Sequence, residues 1–142
     1  MIRLGAIHHV AVAVPRIAEV LPFYRDTLGL AAGPVRELPD QRVRAVFLGG
    51  EGQRVELIEP VDDSSGVARF VAERGRPTLH HVCYLVDDLA ASLRELAADG
   101  VELIDHEPRR GAEGLVAFLH PRATAGVLVE LLDRASLSEP IR

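Results

Sequence analysis

The chain has 142 residues, 48% of them hydrophobic, enough to bury one proper core, so a single globular unit is expected. The formal net charge is −5 and the 16 basic residues, all arginines, form no basic run, which argues against nucleic acid; without lysine, side-chain Schiff-base chemistry is excluded too. No stretch approaches the roughly 20 apolar residues that span a bilayer, Met1 to Gly5 lacks signal-peptide features, and a lone Cys83 excludes an internal disulfide framework, which together read as a cytoplasmic protein.

Ile7 to Val14 alternates as a strand, with His9, Ala11 and Ala13 on one face and His8, Val10, Val12 and Val14 on the other. The valine face reads as core beneath a helix. The opposite face carries a histidine beside two small side chains, which leaves room for a ligand. A helix follows, with Ile17, Leu21, Tyr24 and Leu28 at helical spacing and Gly29 as its stop. Pro22 inside that pattern predicts a kink or a restart near Leu21. Val43 to Leu48 and Arg54 to Glu59 read as strands joined by a glycine-rich hairpin through Gly49 to Gly52.

Asp62-Asp63-Ser64-Ser65 then reads as an N-cap cluster for a short helix of about 64–75 carrying Val67, Phe70 and Val71 and stopped by Gly75. The second half repeats the order. His81, Cys83 and Leu85 alternate with His80, Val82, Tyr84 and Val86. Asp87 or Asp88 caps a helix striped by Leu89, Leu93 and Leu96 and ending at Gly100. Leu115 to Leu119 is the next strand, with Phe118 as counterpart of Phe47, and Gly126 to Leu132 closes the half. The tail from Arg134 to Arg142 has no periodicity and is expected to trail over the surface.

At an offset of 72 positions His8, His9, Val10, Val14, Ala18 and Leu21 meet identical residues, and Val55-Glu56-Leu57 recurs as Val129-Glu130-Leu131. This is an internal duplication, with modules of about 5–61 and 78–134 inside one domain of 1–142. Each half opens on a histidine strand and closes on a glutamate strand. Two imidazoles and two carboxylates (His9, Glu56, His81 and Glu130) suit a borderline divalent ion with room left for substrate. A lone strand histidine is more often a packed or surface residue, and either glutamate alone fits a solvent face; the joint duplication favours the metal site. The strand faces favour His9 and His81, with His8 and His80 as the alternatives. His106 and His120 have no counterparts and read as surface or loop residues. Cys83 reads as a small packing residue, and Arg109-Arg110 as a solvated loop rather than an anion site.

These residues resemble the vicinal oxygen chelate superfamily, and within it the methylmalonyl-CoA epimerases, over nearly all of Ile7 to Asp133. The likeness rests on Ile7 to Pro15, Phe23-Tyr24-Arg25-Asp26, Val55-Glu56-Leu57 with Pro60, the Asp63 to Gly75 helix, Leu79 to Val82, Ala117 to Pro121 and Gly126 to Leu131. The resemblance implies an α+β fold of two tandem βαβββ modules forming a cupped, barrel-like mixed sheet around a metal site. It places the metal ligands at His9, Glu56, His81 and Glu130, with cobalt the expected ion and zinc, nickel or manganese as alternatives. It also implies an acyl-CoA substrate, a homodimer, no nucleic-acid or membrane partner, and epimerisation at C2 of methylmalonyl-CoA with Glu130 as one acid–base group.

Two departures stand out. Arg44 aligns where some relatives carry a glutamate, and arginine cannot act as a base; this leaves Glu56, Glu113 or a metal-bound water for the second proton transfer. Arg44 itself reads as an exposed strand residue in preference to a partner of the substrate carboxylate. Gly111 to Leu115 is one residue shorter than the usual loop. The competing activities within the superfamily are a glyoxalase I-type lactoylglutathione lyase and a metal-free small-molecule (antibiotic) binding protein; the full ligand set counts against the latter.

Overall fold

The computed structural model describes residues 1–138. Eight strands and three helices are present among them, and the chain divides into two compact units: His9–His80, and Met1–His8 together with the chain from His81 onward. Both crossings between units fall inside a His-His dipeptide. Each unit contains one βαβββ run.

In the His9–His80 unit, β1 (Ile7–Ala13) leads to α1 (Ile17–Pro22), then β2 (Arg36–Leu38), β3 (Val43–Leu48) and β4 (Val55–Pro60). The strands lie in the order β2-β3-β4-β1, antiparallel except for the parallel β1–β4 pair. One face of this sheet packs under α1: Val14, Ile17, Val46, Leu48 and Leu57 form its buried core, with Val12, Val20, Leu21 and Tyr24 around them. The valine face of the first strand therefore lies where alternation puts it.

Pro22 marks the end of regular helix. The chain passes into a π-helical turn, Phe23–Thr27, closed by the Leu28 N–H donating to Phe23 O at 2.9 Å. A π turn accommodates one residue more than an α turn, so the helical stripe slips. Leu28, expected inward, is 53% exposed, and Leu30 packs against the core in its place.

The opposite face of the same sheet is small: Ala13, Ala45 and Ile58 form a cluster. It is closed by α2 (Gly66–Arg74), which sets Val67, Phe70 and Val71 against it. Ser65 caps α2 by accepting from Ala68 N at 3.0 Å, and Gly75 ends it at φ +69°. Part of the room expected above Ala13 is thus filled by the chain itself.

The second unit repeats the plan with β5 (Thr78–Val86), α3 (Leu89–Ala98), β6 (Arg109–Arg110), β7 (Leu115–Leu119) and β8 (Val129–Asp133). Its order is β6-β7-β8-β5, and only β5–β8 is parallel. Asp88 caps α3 through Ala91 N, and Leu89 and Leu93 bury its inner stripe with Val86, Leu103, Ala117, Leu119 and Leu131. The N-terminal arm extends this unit: Gly5 N donates to Leu85 O at 2.7 Å and Leu85 N to Ala6 O at 3.0 Å.

Two expectations are corrected here. The tail does not trail away as far as it is described: Arg134–Ser136 forms a 3-10 turn, and Leu137 packs on Cys83, Leu85, Val116 and Leu132. Ser136 Oγ accepts from Leu115 N at 2.7 Å, and Ser138 N donates to Glu113 O at 2.8 Å. The reason is a cluster of large apolar side chains that needs a lid; residues 139–142 lie outside the described residues. The closing strand also starts later than Gly126, because Ala125 and Gly126 sit at positive φ (58° and 87°) in a turn.

Candidate metal centre

Parallel pairing of β1 with β4 sets Ala11 beside Glu56, which brings the neighbouring His9 within reach of that carboxylate. His9 Nε2 stands 3.4 Å from Glu56 Oε1, with both residues buried. The second unit repeats the arrangement: Cys83 lies beside Glu130 in the β5–β8 ladder, and His81 Nε2 stands 3.1 Å from Glu130 Oε1, again buried. The duplicated sequence has therefore produced a duplicated His–Glu couple on two parallel strand pairs.

Each couple has an aromatic wall. Phe47 pairs with Glu56 across β3–β4, and its ring lies 5.0 Å from that of His9 at 83°. Phe118 pairs with Glu130 across β7–β8, and its ring lies 5.3 Å from that of His81 at 89°. Near-perpendicular aromatic contacts of this kind are favourable and directional. They also lower the polarity around each carboxylate, which raises the cost of leaving its charge unmatched.

The donor chemistry fits a divalent ion. Two ligand atoms about 2.1 Å from one ion and at right angles to each other stand about 3 Å apart, and the two couples are close to that spacing. A neutral imidazole nitrogen with a carboxylate oxygen is a set that zinc, cobalt, nickel and manganese all accept. Among the described residues the chain thus carries a His/Glu donor set suited to a divalent metal.

The remaining sequence candidates differ in burial and partners. His8 is buried like His9, whereas His80 is half-buried with its ring 5.0 Å from Phe70 of α2. His106 is exposed. His120 caps a 3-10 turn by accepting from Arg122 N at 3.1 Å. Cys83 is fully buried among Leu85, Val116 and Leu132, as a packing residue.

Arg44 lies on the opposite face of β3 from Ala45 and Phe47. It faces Glu59 across the ladder and donates to Glu59 Oε2 at 2.9 Å, while Glu59 Oε1 accepts from Ile17 N at the start of α1. It is a half-exposed structural ion pair on the α1 side, not a partner of the Glu56 face. On that face β3 offers only Val43, Ala45 and Phe47, none of which titrates.

Arg109 and Arg110 are not loop residues but the edge strand β6 against β7. Arg109 Nε stands 3.4 Å from Asp105 Oδ2, and its guanidinium carbon lies 5.4 Å from the centre of the Phe118 ring. Sequence reading missed this contact. The only signal was an Asp four residues before an Arg, which in an irregular segment has no fixed meaning.

A family model for the Glyoxalase/Bleomycin resistance protein/Dioxygenase superfamily matches residues 8–118. The mitochondrial methylmalonyl-CoA epimerase of Dictyostelium discoideum is 36% identical over 135 residues, covering 94% of this chain and 81% of its own. The crystal structure of methylmalonyl-CoA epimerase from Mycobacterium tuberculosis superposes with a TM-score of 0.85 at 32% identity, covering 92% of this chain and 88% of that one. A variant of Streptomyces coelicolor methylmalonyl-CoA epimerase, solved with 2-nitronate-propionyl-CoA, gives 0.86 at 29% identity, covering 96% of this chain and all of that one. With this α+β fold shared over nearly its whole length, the chain belongs to the Glyoxalase/Bleomycin resistance protein/Dioxygenase superfamily.

Proposed function

We infer that the chain is a methylmalonyl-CoA epimerase, interconverting the (2R) and (2S) thioesters by moving a proton at C2. The observation that carries this is the pair of buried His–Glu couples, one per module, in a chain whose relatives over nearly its full length include several methylmalonyl-CoA epimerases. C2 lies between a thioester carbonyl and a carboxylate, so its hydrogen is acidic once the developing enolate charge is balanced. A bound divalent ion supplies that balance as a Lewis acid.

His9, Glu56, His81 and Glu130 are proposed as the ligands of a single ion, supported by the duplication and by the spacing within each couple. Cobalt is the proposed resident metal. Glu130 is proposed to serve one face of C2, removing the proton there in one direction of the reaction and delivering it there in the reverse, while a second group does the converse on the opposite face. With β3 offering no titratable group on the Glu56 face, Glu56 and Glu113 are the remaining carboxylates for the opposite face. Burial of both couples beside the aromatic walls lowers the local polarity, which strengthens electrostatic interactions there. No described helix is long and apolar enough to cross a membrane. A single two-module domain, a homodimer and a cytoplasmic location complete the proposal, the dimer being checked by light scattering.

The deciding experiment is deuterium uptake at C2 of methylmalonyl-CoA in heavy water, with cobalt, with chelator and with His81→Ala, against spontaneous exchange. Fast metal-dependent exchange abolished by His81→Ala is expected. Background exchange in folded, metal-loaded protein would overturn the assignment, and a glutathione hemithioacetal would then be the next substrate tried.

A further inference from the structure

We propose that Arg109 is a positioning residue for His81, acting through Phe118. The inference rests on His81 being a metal ligand, but its physical basis is separate from that reading. Four residues of one unit form a connected assembly. Asp105 Oδ2 accepts from Phe118 N at 2.8 Å and stands 3.4 Å from Arg109 Nε. Arg109 places its guanidinium over the Phe118 ring, and the ring meets the His81 imidazole at 89°.

Each link removes a freedom from the next. The Phe118 backbone is held on both sides, since its carbonyl accepts from Ile104 N and Asp105 N at 3.0 and 3.2 Å. What the backbone leaves free is rotation of the ring, and a cation over the π-face favours one ring orientation. Phe118 sits opposite Glu130 in the ladder, so that orientation fixes the wall against which His81 aims Nε2 at the carboxylate. Asp105 closes the cycle by holding both the guanidinium and the Phe118 backbone. Partners that orient a ligand without touching the metal commonly set its affinity. The Arg109 side chain is 43% exposed, so its replacement opens no cavity in the core.

The test compares Arg109→Ala, Arg109→Lys and Arg110→Ala, the last an exposed neighbour on the same strand. Two quantities are read in each: the His81 ring-proton shifts by NMR in metal-free protein, and the Co2+ dissociation constant by calorimetry. Arg109→Ala should move the His81 signals and weaken Co2+ binding by about tenfold. Arg109→Lys should recover part of both, and Arg110→Ala should change neither. Unmoved His81 shifts in Arg109→Ala overturn the proposal, whether or not the melting temperature falls. If wild type binds no Co2+ while the shifts still move, the metal reading fails and the positioning role stands.

Discussion

Phe47 and Glu56 face one another across the antiparallel β3–β4 ladder. The same relation joins Phe118 to Glu130 in the other module. Each carboxylate therefore has an aromatic ring on one side and an imidazole on the other, and the two glutamates look alike in local surroundings. What separates them is the chemistry proposed for each.

Glu56→Gln keeps the volume and one oxygen donor. If Glu56 only holds the ion, the loss of C2 exchange should follow the loss of bound metal, whereas a second proton carrier there would lower exchange with the metal retained. Glu130→Gln removes a proton carrier, and exchange should fall by about 10²–10⁴-fold even where metal is retained. Metal content measured alongside deuterium uptake checks this. Equal losses in the two variants would remove the distinction between them.

Arg44→Ala should leave exchange unchanged, because the side chain lies on the α1 side of the sheet. Its ion pair with Glu59 is 42% exposed at the arginine, so the stability loss should be below about 1 kcal/mol. Glu59→Ala should cost more, about 1–2 kcal/mol, since Ile17 N at the start of α1 loses its acceptor as well. Urea denaturation of the two variants resolves the order.

The two modules close equivalent clusters by opposite means. Ala13, Ala45 and Ile58 lie beneath Phe70, Val67 and Val71, while the larger Leu85, Val116 and Leu132 need only Leu137. Ala13→Leu should overpack the first cluster and cost about 1–3 kcal/mol. Leu137→Ala should cost about 1–2 kcal/mol, roughly half the loss at a fully buried leucine. Calorimetric melting of each variant is the check, and an unshifted melt for Leu137→Ala would mean that the tail contact contributes nothing in solution.

The loop after β7 carries a pH-dependent tie. Hydrogen bonds from Arg122, at 2.9 and 2.7 Å, hold the Glu102 carboxyl below its ordinary value of 4.5, against a smaller opposing desolvation. A carboxylate depressed on folding adds stability above its unfolded value and loses it as the pH falls through the folded one. The contribution is therefore complete above 4.5 and disappears on acidification below it. NMR titration of the Glu102 side chain should give a midpoint that rises in Arg122→Ala; an equal midpoint would show the pairing to be absent in solution.

Much of this was legible in the sequence because it was written twice. Period-two alternation gave β1 and β5, and β3 and β7 have the bounds read from Val43 to Leu48 and Leu115 to Leu119. The caps of α2 and α3 were readable as the Asp62 to Ser65 cluster and as Asp87 or Asp88, since such side chains act on the backbone a few residues away; the structure singles out Ser65 and Asp88. The edge strands β2 and β6 were not readable. Three and two residues long, they are too short for periodicity to register, and they exist because β3 and β7 offer them a ladder.

The sequence by itself determined the tandem plan and the residue types of the two His–Glu couples, since both follow from local pattern repeated at a near-constant offset. It also pointed to His9 and His81, because side chains on a strand must alternate. Only the tertiary structure decided that Arg44 belongs with Glu59, that Leu137 covers Leu132, and that Arg109 lies over Phe118. Those contacts join residues far apart in the chain or set in irregular segments. Their partners are chosen by whichever surface the packed sheet leaves within reach, and no local periodicity records that choice.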